Sequence, residues 1–144
     1  MLVQLTYWSR VSDQLNEQQL NDLRNVAEVS NTTNAITGCL VRMHEFFMQT
    51  IEGDADAVNS LYKKIINDPR HTDVCLVTYQ AITRRKFTDW LMVVDIEKTP
   101  HEAFFLSYSA KSPFSFDGMT APTIDMMIQE LYATHKRLDR DTFA

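Results

Sequence analysis

The segment Ile36–Gly53, ITGCLVRMHEFFMQTIEG, constrains the fold most. It reads as two strands joined by a short polar turn, the second carrying one glutamine, Gln49, within an apolar run. Side chains alternate along a strand, so Phe47, Gln49 and Ile51 share a face. A neutral amide between a phenylalanine and an isoleucine on the core side must find hydrogen-bond partners or cost roughly 1–3 kcal/mol. A polar group is therefore expected to meet Gln49 inside the protein.

The 144 residues fit one domain, enough to bury about 68–70% of the unfolded surface. A net charge of −5 argues against general affinity for nucleic acid. Cys39 and Cys75 fall in expected strands without a C-x-x-C spacing and read as reduced, buried, small apolar residues. The opening MLVQLTYWS runs directly into a strand pattern, unlike a signal peptide. No apolar run approaches the ~20 residues of a membrane span. The expectation is a cytoplasmic protein that does not cross a membrane.

Leu2 to Ser9 reads as a strand, with Val3, Leu5 and Tyr7 on one face and Gln4, Thr6 and Trp8 on the other. Asn16 and Gln19 have the spacing of a capping box. Leu20, Leu23, Ala27 and Asn31 then form one helical stripe. After the hairpin, Val58, Leu61, Tyr62, Ile65 and Ile66 mark a second amphipathic helix, which Pro69 ends. Val74–Ile82 and Trp90–Ile96 are expected fourth and fifth strands, with the basic run Arg84, Arg85 and Lys86 between them as a solvated turn. The order βαββαββ is α+β, a ferredoxin-like sheet plus one strand with both helices on a single face. Thr99-Pro100-His101-Glu102 offers a helix start. Ile124, Met127, Ile128, Leu131 and Tyr132 repeat the helical spacing. Val77, Tyr79, Leu91 and Val93 make the sheet's second face apolar. Residues 98–144 are accordingly expected to cap that face of a 1–97 domain.

Tyr7 faces the same side as Val3 and Leu5. In a ferredoxin-like sheet the first and third strands are neighbours, so Tyr7 and Gln49 can lie side by side. Taken singly, the other polar residues have structural explanations. Tyr7 can fill the core with its hydroxyl on backbone or water, and Asn31 can end a helix in the left-handed conformation. Arg70 and His71 can place positive charge at a helix C-terminus, and Trp90 and Met92, on one face of the fifth strand, can be core. His44, His71, His101 and His135 show no metal-ligand spacing, and no phosphate loop, G-x-G-x-x-G or nucleophile elbow is present.

The ordered pieces are Tyr7 with Ser9; Asn31 before Ala35-Ile36-Thr37-Gly38; Phe47-Met48-Gln49 with Glu52-Gly53; Asp68-Pro69-Arg70-His71; and Arg84-Arg85-Lys86-Phe87 leading to Trp90-Leu91-Met92. Together they resemble the BLUF family, blue-light receptor domains that use a flavin, over about residues 2–96. The C-terminal part, with Leu106-Ser107-Tyr108-Ser109 and Glu130-Leu131-Tyr132, looks like the tail of short members without an enzymatic domain.

The resemblance implies a flavin between the two helices: FAD, or else FMN or riboflavin. Its cofactor-binding set is Asn31, Gln49, Arg70, His71, Ser30 and Ile36, with Arg70 and His71 at the ribityl or phosphate end. Its photoactive set is Tyr7, Gln49, Trp90 and Met92. Tyr7 would give an electron and then a proton through Gln49, whose rearranged amide would red-shift the flavin and repack the fifth strand. Ser30 and Ala27 depart from the family, which often carries a larger side chain and a hydroxyl at these places. The implied protein is a photoreceptor rather than an enzyme, and a homo-oligomer. It would signal to a response regulator, a transcription factor or a cyclic-dinucleotide enzyme. The competing expectations are a small flavin-dependent or acylphosphatase-like enzyme on the same scaffold, and an adaptor domain with an empty pocket.

Overall fold

Alternation along the first strand decides the layering. A computed structural model describes residues 1–12, 15–43, 45–93, 102–110 and 115–143. Its elements are β1 (Leu2–Val11), α1 (Glu17–Thr33), β2 (Thr37–Met43), β3 (Phe46–Asp54), α2 (Ala55–Ile66), β4 (His71–Ala81), β5 (Trp90–Val93), α3 (Glu102–Leu106) and α4 (Ala121–Phe143). The strands form one mixed sheet in the order β4-β1-β3-β2-β5. β1 lies antiparallel between β3 and β4, and β2 pairs parallel with β5. This is the expected ferredoxin-like α+β sheet with one added strand. Val3, Leu5 and Tyr7 face one core with Ile51, Val58 and Ile65 beneath α2. Leu20, Leu40, Phe47 and Met92 continue that layer beneath α1.

The other face is covered by α3 and α4. Phe105, Ile124, Met127, Ile128 and Leu131 pack there against Cys39, Val41, Met43, Met48 and Val93. Trp8 stacks on Phe116 at 5.1 Å between ring centroids. The expected start of the third helix at Thr99–His101, the end of β5 beyond Val93, and His44 lie outside the described residues.

The capping box forms as expected. Gln19 N–H donates to Asn16 Oδ1 at 2.8 Å, and Asn16 N–H to Gln19 Oε1 at 3.0 Å. Asn31 does not end α1, however. The helix runs to Thr33, and Ala35 takes the left-handed backbone at φ 53°. Gly38 has φ 150°, and a Cβ there would lie 2.0 Å from the Thr50 carbonyl oxygen, so only glycine permits β2 and β3 to approach this closely.

Three expectations are corrected by tertiary contacts. A register shift between Thr6 and Tyr7 turns part of β4 over. Tyr79 pairs with Leu5 and accepts a hydrogen bond from Asn59 of α2, so it stands on the α2 side and not with Val77 beneath α4. Cys75 is exposed on this edge strand, whereas Cys39 is buried. In the 84–86 run, Arg84 and Lys86 are exposed as expected, but Arg85 is half-buried and donates to Thr37 Oγ1 and the Glu52 carbonyl, while Lys86 Nζ reaches Asp125 of α4.

Candidate functional site

β1 and β3 are adjacent in a register that sets Tyr7 directly opposite Gln49. The Gln49 amide donates from Nε2 to the Tyr7 hydroxyl at 2.7 Å. Its Oε1 accepts from the Trp90 indole N–H at 3.1 Å. The partner required by a buried amide is thus two partners, one from each side. A primary amide offers two N–H donors and two lone pairs. One of each remains for a further group.

That group has room. A cleft of about 190 Å³ opens between α1 and α2, floored by Tyr7, Leu40, Gln49 and Trp90. Leu23, Val26, Ala27, Ser30 and Asn31 form the α1 wall, and Leu61, Lys64 and Ile65 the α2 wall. Asp68, Arg70 and His71 complete its lining. Asn31 is 2% exposed, and its side chain has no hydrogen-bond partner among the described residues. A buried amide of this kind, turned to an apolar slot, fits the polar edge of a planar ligand. These residues accordingly suit a flavin ring.

Burial pushes the Tyr7 phenol well above its ordinary pKa, although the Gln49 hydrogen bond opposes the shift. The side chain therefore stays protonated at neutral pH. Tyr62 and His71 flank its ring at 5.9 and 6.1 Å.

His71 is not a helix-end cation, contrary to expectation. It begins β4, is buried against Phe47, and its Nδ1 lies 2.9 Å from Ser9 Oγ. Burial lowers its pKa to about 4, with Arg70 adding to the effect and Asp68 opposing it, so the imidazole is neutral. Arg70 does carry charge into the cleft. Its Nε bonds both Asp68 oxygens at 2.9 and 3.0 Å, and its Nη2 bonds Oδ2 at 2.5 Å. Burial disfavours the Asp68 carboxylate, but these bonds outweigh it and hold the group below its usual pKa.

Ser30 lines the cleft, and Ile36 packs in the core beside it, lining a neighbouring cavity with Asn31 and Ser60. Trp90 and Met92 share one cluster with Leu20, Leu40 and Phe47, but of the two Trp90 lines the cleft and reaches Gln49. Sequence reasoning missed Lys64 and Asp68 as lining residues. Their signal was the i, i+3 and i+4 spacing that puts Leu61, Lys64, Ile65 and Asp68 along one side of α2 and its end. It also missed Glu52, buried on the opposite face, which accepts from Gln4 Nε2 at 2.9 Å and from the backbone N–H groups of Lys86 and Phe87 at 2.8 and 2.9 Å.

Comparison with known proteins agrees with this geometry. The chain is 33% identical over 128 residues to the photoactivated adenylate cyclase subunit beta of Euglena gracilis, covering 85% of this chain but 15% of that protein. It therefore spans a small part of the curated relatives it matches. Among solved structures, BlsA in its photo-activated state superposes with a TM-score of 0.76 and 29% identity, covering 92% of this chain and 95% of that one. The dark-state BLUF protein BlrB gives 0.75 and 28%, with 92% and 96% coverage. Residues 2–93 match the family described as sensors of blue-light using FAD, and the chain belongs to this BLUF family.

Proposed function

We propose that this chain is a blue-light photoreceptor that holds FAD in the α1–α2 cleft, with residues 1–97 as the flavin unit and 98–144 as its cap. The observation that carries the reading is Gln49, fixed between Tyr7 and Trp90 with one donor and one acceptor still free beneath the cleft. Bound flavin supplies the absorption of blue light and a strong photo-oxidant.

The chain's own residues supply the rest. Tyr7, protonated and in direct contact with Gln49, would give an electron to the bound flavin once light has excited it. Its proton would follow to the amide oxygen as Gln49 turns, because the amide nitrogen that faces the hydroxyl is a donor. Both would return to Tyr7 afterwards. Gln49 rearranges by tautomerisation or rotation, so its oxygen and nitrogen exchange hydrogen-bonding roles. Trp90 loses its acceptor in that arrangement, and β5, carrying Trp90 and Met92, repacks. Asn31 holds the pyrimidine edge. Arg70 and Lys64 hold the ribityl or phosphate end, a task that the neutral, Ser9-bound His71 is poorly suited to share. His71 instead packs beside Tyr7. The output passes to a signalling partner. An effector enzyme that makes a cyclic nucleotide is the class that the cyclase relative favours.

The test is absorbance. Purified protein supplied with FAD should be yellow, shift to the red under blue light and revert in darkness. Gln49→Leu should bind flavin but show no reversible shift. Protein that takes up no flavin on refolding would overturn the reading. Steady oxidation of a nicotinamide cofactor by the bound flavin would point instead to a flavin enzyme.

A further inference from the structure

β5 is described over Trp90–Val93 and pairs with β2. The segment that leads into it is firmly held. Glu52 anchors Lys86 and Phe87 from the sheet, and the Asp89 carbonyl accepts from Gly38 N–H at 2.9 Å. The Asp89 carboxylate is held from α4. Tyr132 donates its hydroxyl proton to Oδ1 at 2.6 Å, and Lys136 Nζ donates to Oδ2 at 2.7 Å. Burial disfavours charge on Asp89, but these two bonds outweigh it and hold its pKa below the ordinary value.

Tyr132 does more than meet one carboxylate. Its oxygen accepts from Thr88 N–H at 3.2 Å and lies 3.0 Å from Thr88 Oγ1, and its ring meets Phe87 edge-on at 4.9 Å. One donor and two lone pairs are the full capacity of a phenol, and all are engaged. The next residue after Asp89 is Trp90, the donor to Gln49 Oε1. One peptide unit thus separates a carboxylate fastened to α4 from the side chain that fixes the photoactive amide. The Lys136–Asp89 pair is partly exposed, at 29% and 50%, and screening makes such pairs weak. Tyr132, at 9% exposure, is therefore the stronger of the two contacts.

We propose that Tyr132, acting through Asp89, is a positioning residue of the photoactive site. α4 sets where Trp90 stands, and so how firmly Gln49 is held in its dark orientation. Coupling of this kind is reciprocal: what α4 does to the amide equilibrium, the amide does to α4. The inference rests on the photoreceptor reading.

The experiment measures dark recovery after a blue flash in the full chain loaded with FAD, with flavin content and melting temperature recorded for each variant. Tyr132→Phe keeps the ring on Phe87 and removes only the hydroxyl. It and Asp89→Asn should change the recovery rate at least about fivefold, with flavin uptake retained. Lys136→Met, which spares the core, should shift the rate in the same direction by less, and serves where Tyr132→Phe does not fold. The deciding variant is Tyr132→Phe combined with Trp90→Phe. If Tyr132 acts through Trp90, its effect disappears in that background. A wild-type recovery rate in Tyr132→Phe, or an undiminished effect without Trp90, overturns the inference while leaving the photoreceptor intact. Failure of the wild-type chain to shift at all overturns both.

Discussion

Tyr7 and Gln49 meet because two strands distant in sequence share a register, and each satisfies a group that the other cannot leave unpaired. Tyr7→Phe keeps the ring between Tyr62 and His71 but leaves a buried Gln49 N–H without its acceptor. The expected cost is about 1–3 kcal/mol in denaturant unfolding. Flavin should still bind, and the light-induced red shift should vanish from difference spectra. His71 gives a pH signature. Its pKa is about 4 in the folded chain and 6.5 in the reference state, so between these values the unfolded chain binds more protons. Stability should therefore be fully present above about pH 6.5 and fall as the pH drops towards 4, by up to about 3 kcal/mol. Urea titrations at pH 7 and pH 5 measure this. His71→Phe should flatten the difference.

Among the elements, β2 bears the tightest constraint. Gly38 pairs with Ile51 on one side and Trp90 on the other, and a methyl group there collides with the Thr50 carbonyl. Gly38→Ala should cost about 1–3 kcal/mol, as overpacking does. It should also displace Trp90, which would show as an altered dark flavin spectrum. The faces of β1 and β3 were legible because plain alternation holds along both. β4 was only half legible, since the shift beside Thr6 reverses Tyr79 with no glycine or proline to announce it. His71 was misread for a similar reason. Its local neighbours suggest a helix end, and only the long-range contacts with Ser9 and Phe47 show a buried ring. Glu52 was not legible as a buried carboxylate because the groups that satisfy it, Gln4 and the backbone at Lys86 and Phe87, lie far away in sequence.

Among the described residues, apolar side chains pack on both faces of one sheet. β3 supplies Gln49 and Ile51 to the flavin side and Met48 to the α4 side, so neither core can loosen alone. Ile128→Ala, in the α4 core, should cost about 2–5 kcal/mol. Loss of flavin binding and loss of helical circular dichroism should then coincide on one unfolding curve. Separate transitions would show that the cap unfolds independently. Among the described residues no helix is long and apolar enough to cross a membrane. The capping helix was legible in the Ile124–Tyr132 spacing. The hold of Tyr132 and Lys136 on Asp89 was not, because periodicity shows which face is apolar and says nothing about what a polar tip will meet.

The two cysteines differ in a way that can be put to use. Cys39 is sealed under α4, and burial raises its thiol to about 12, with Asp89 adding to the shift. Cys75 stands exposed on β4, paired across the ladder with Trp8, the residue after Tyr7. Thiolate is the reactive form, so a maleimide dye at neutral pH should attach once, at Cys75. Residues 1–144 thereby carry a single-site optical reporter beside the strand that holds Tyr7.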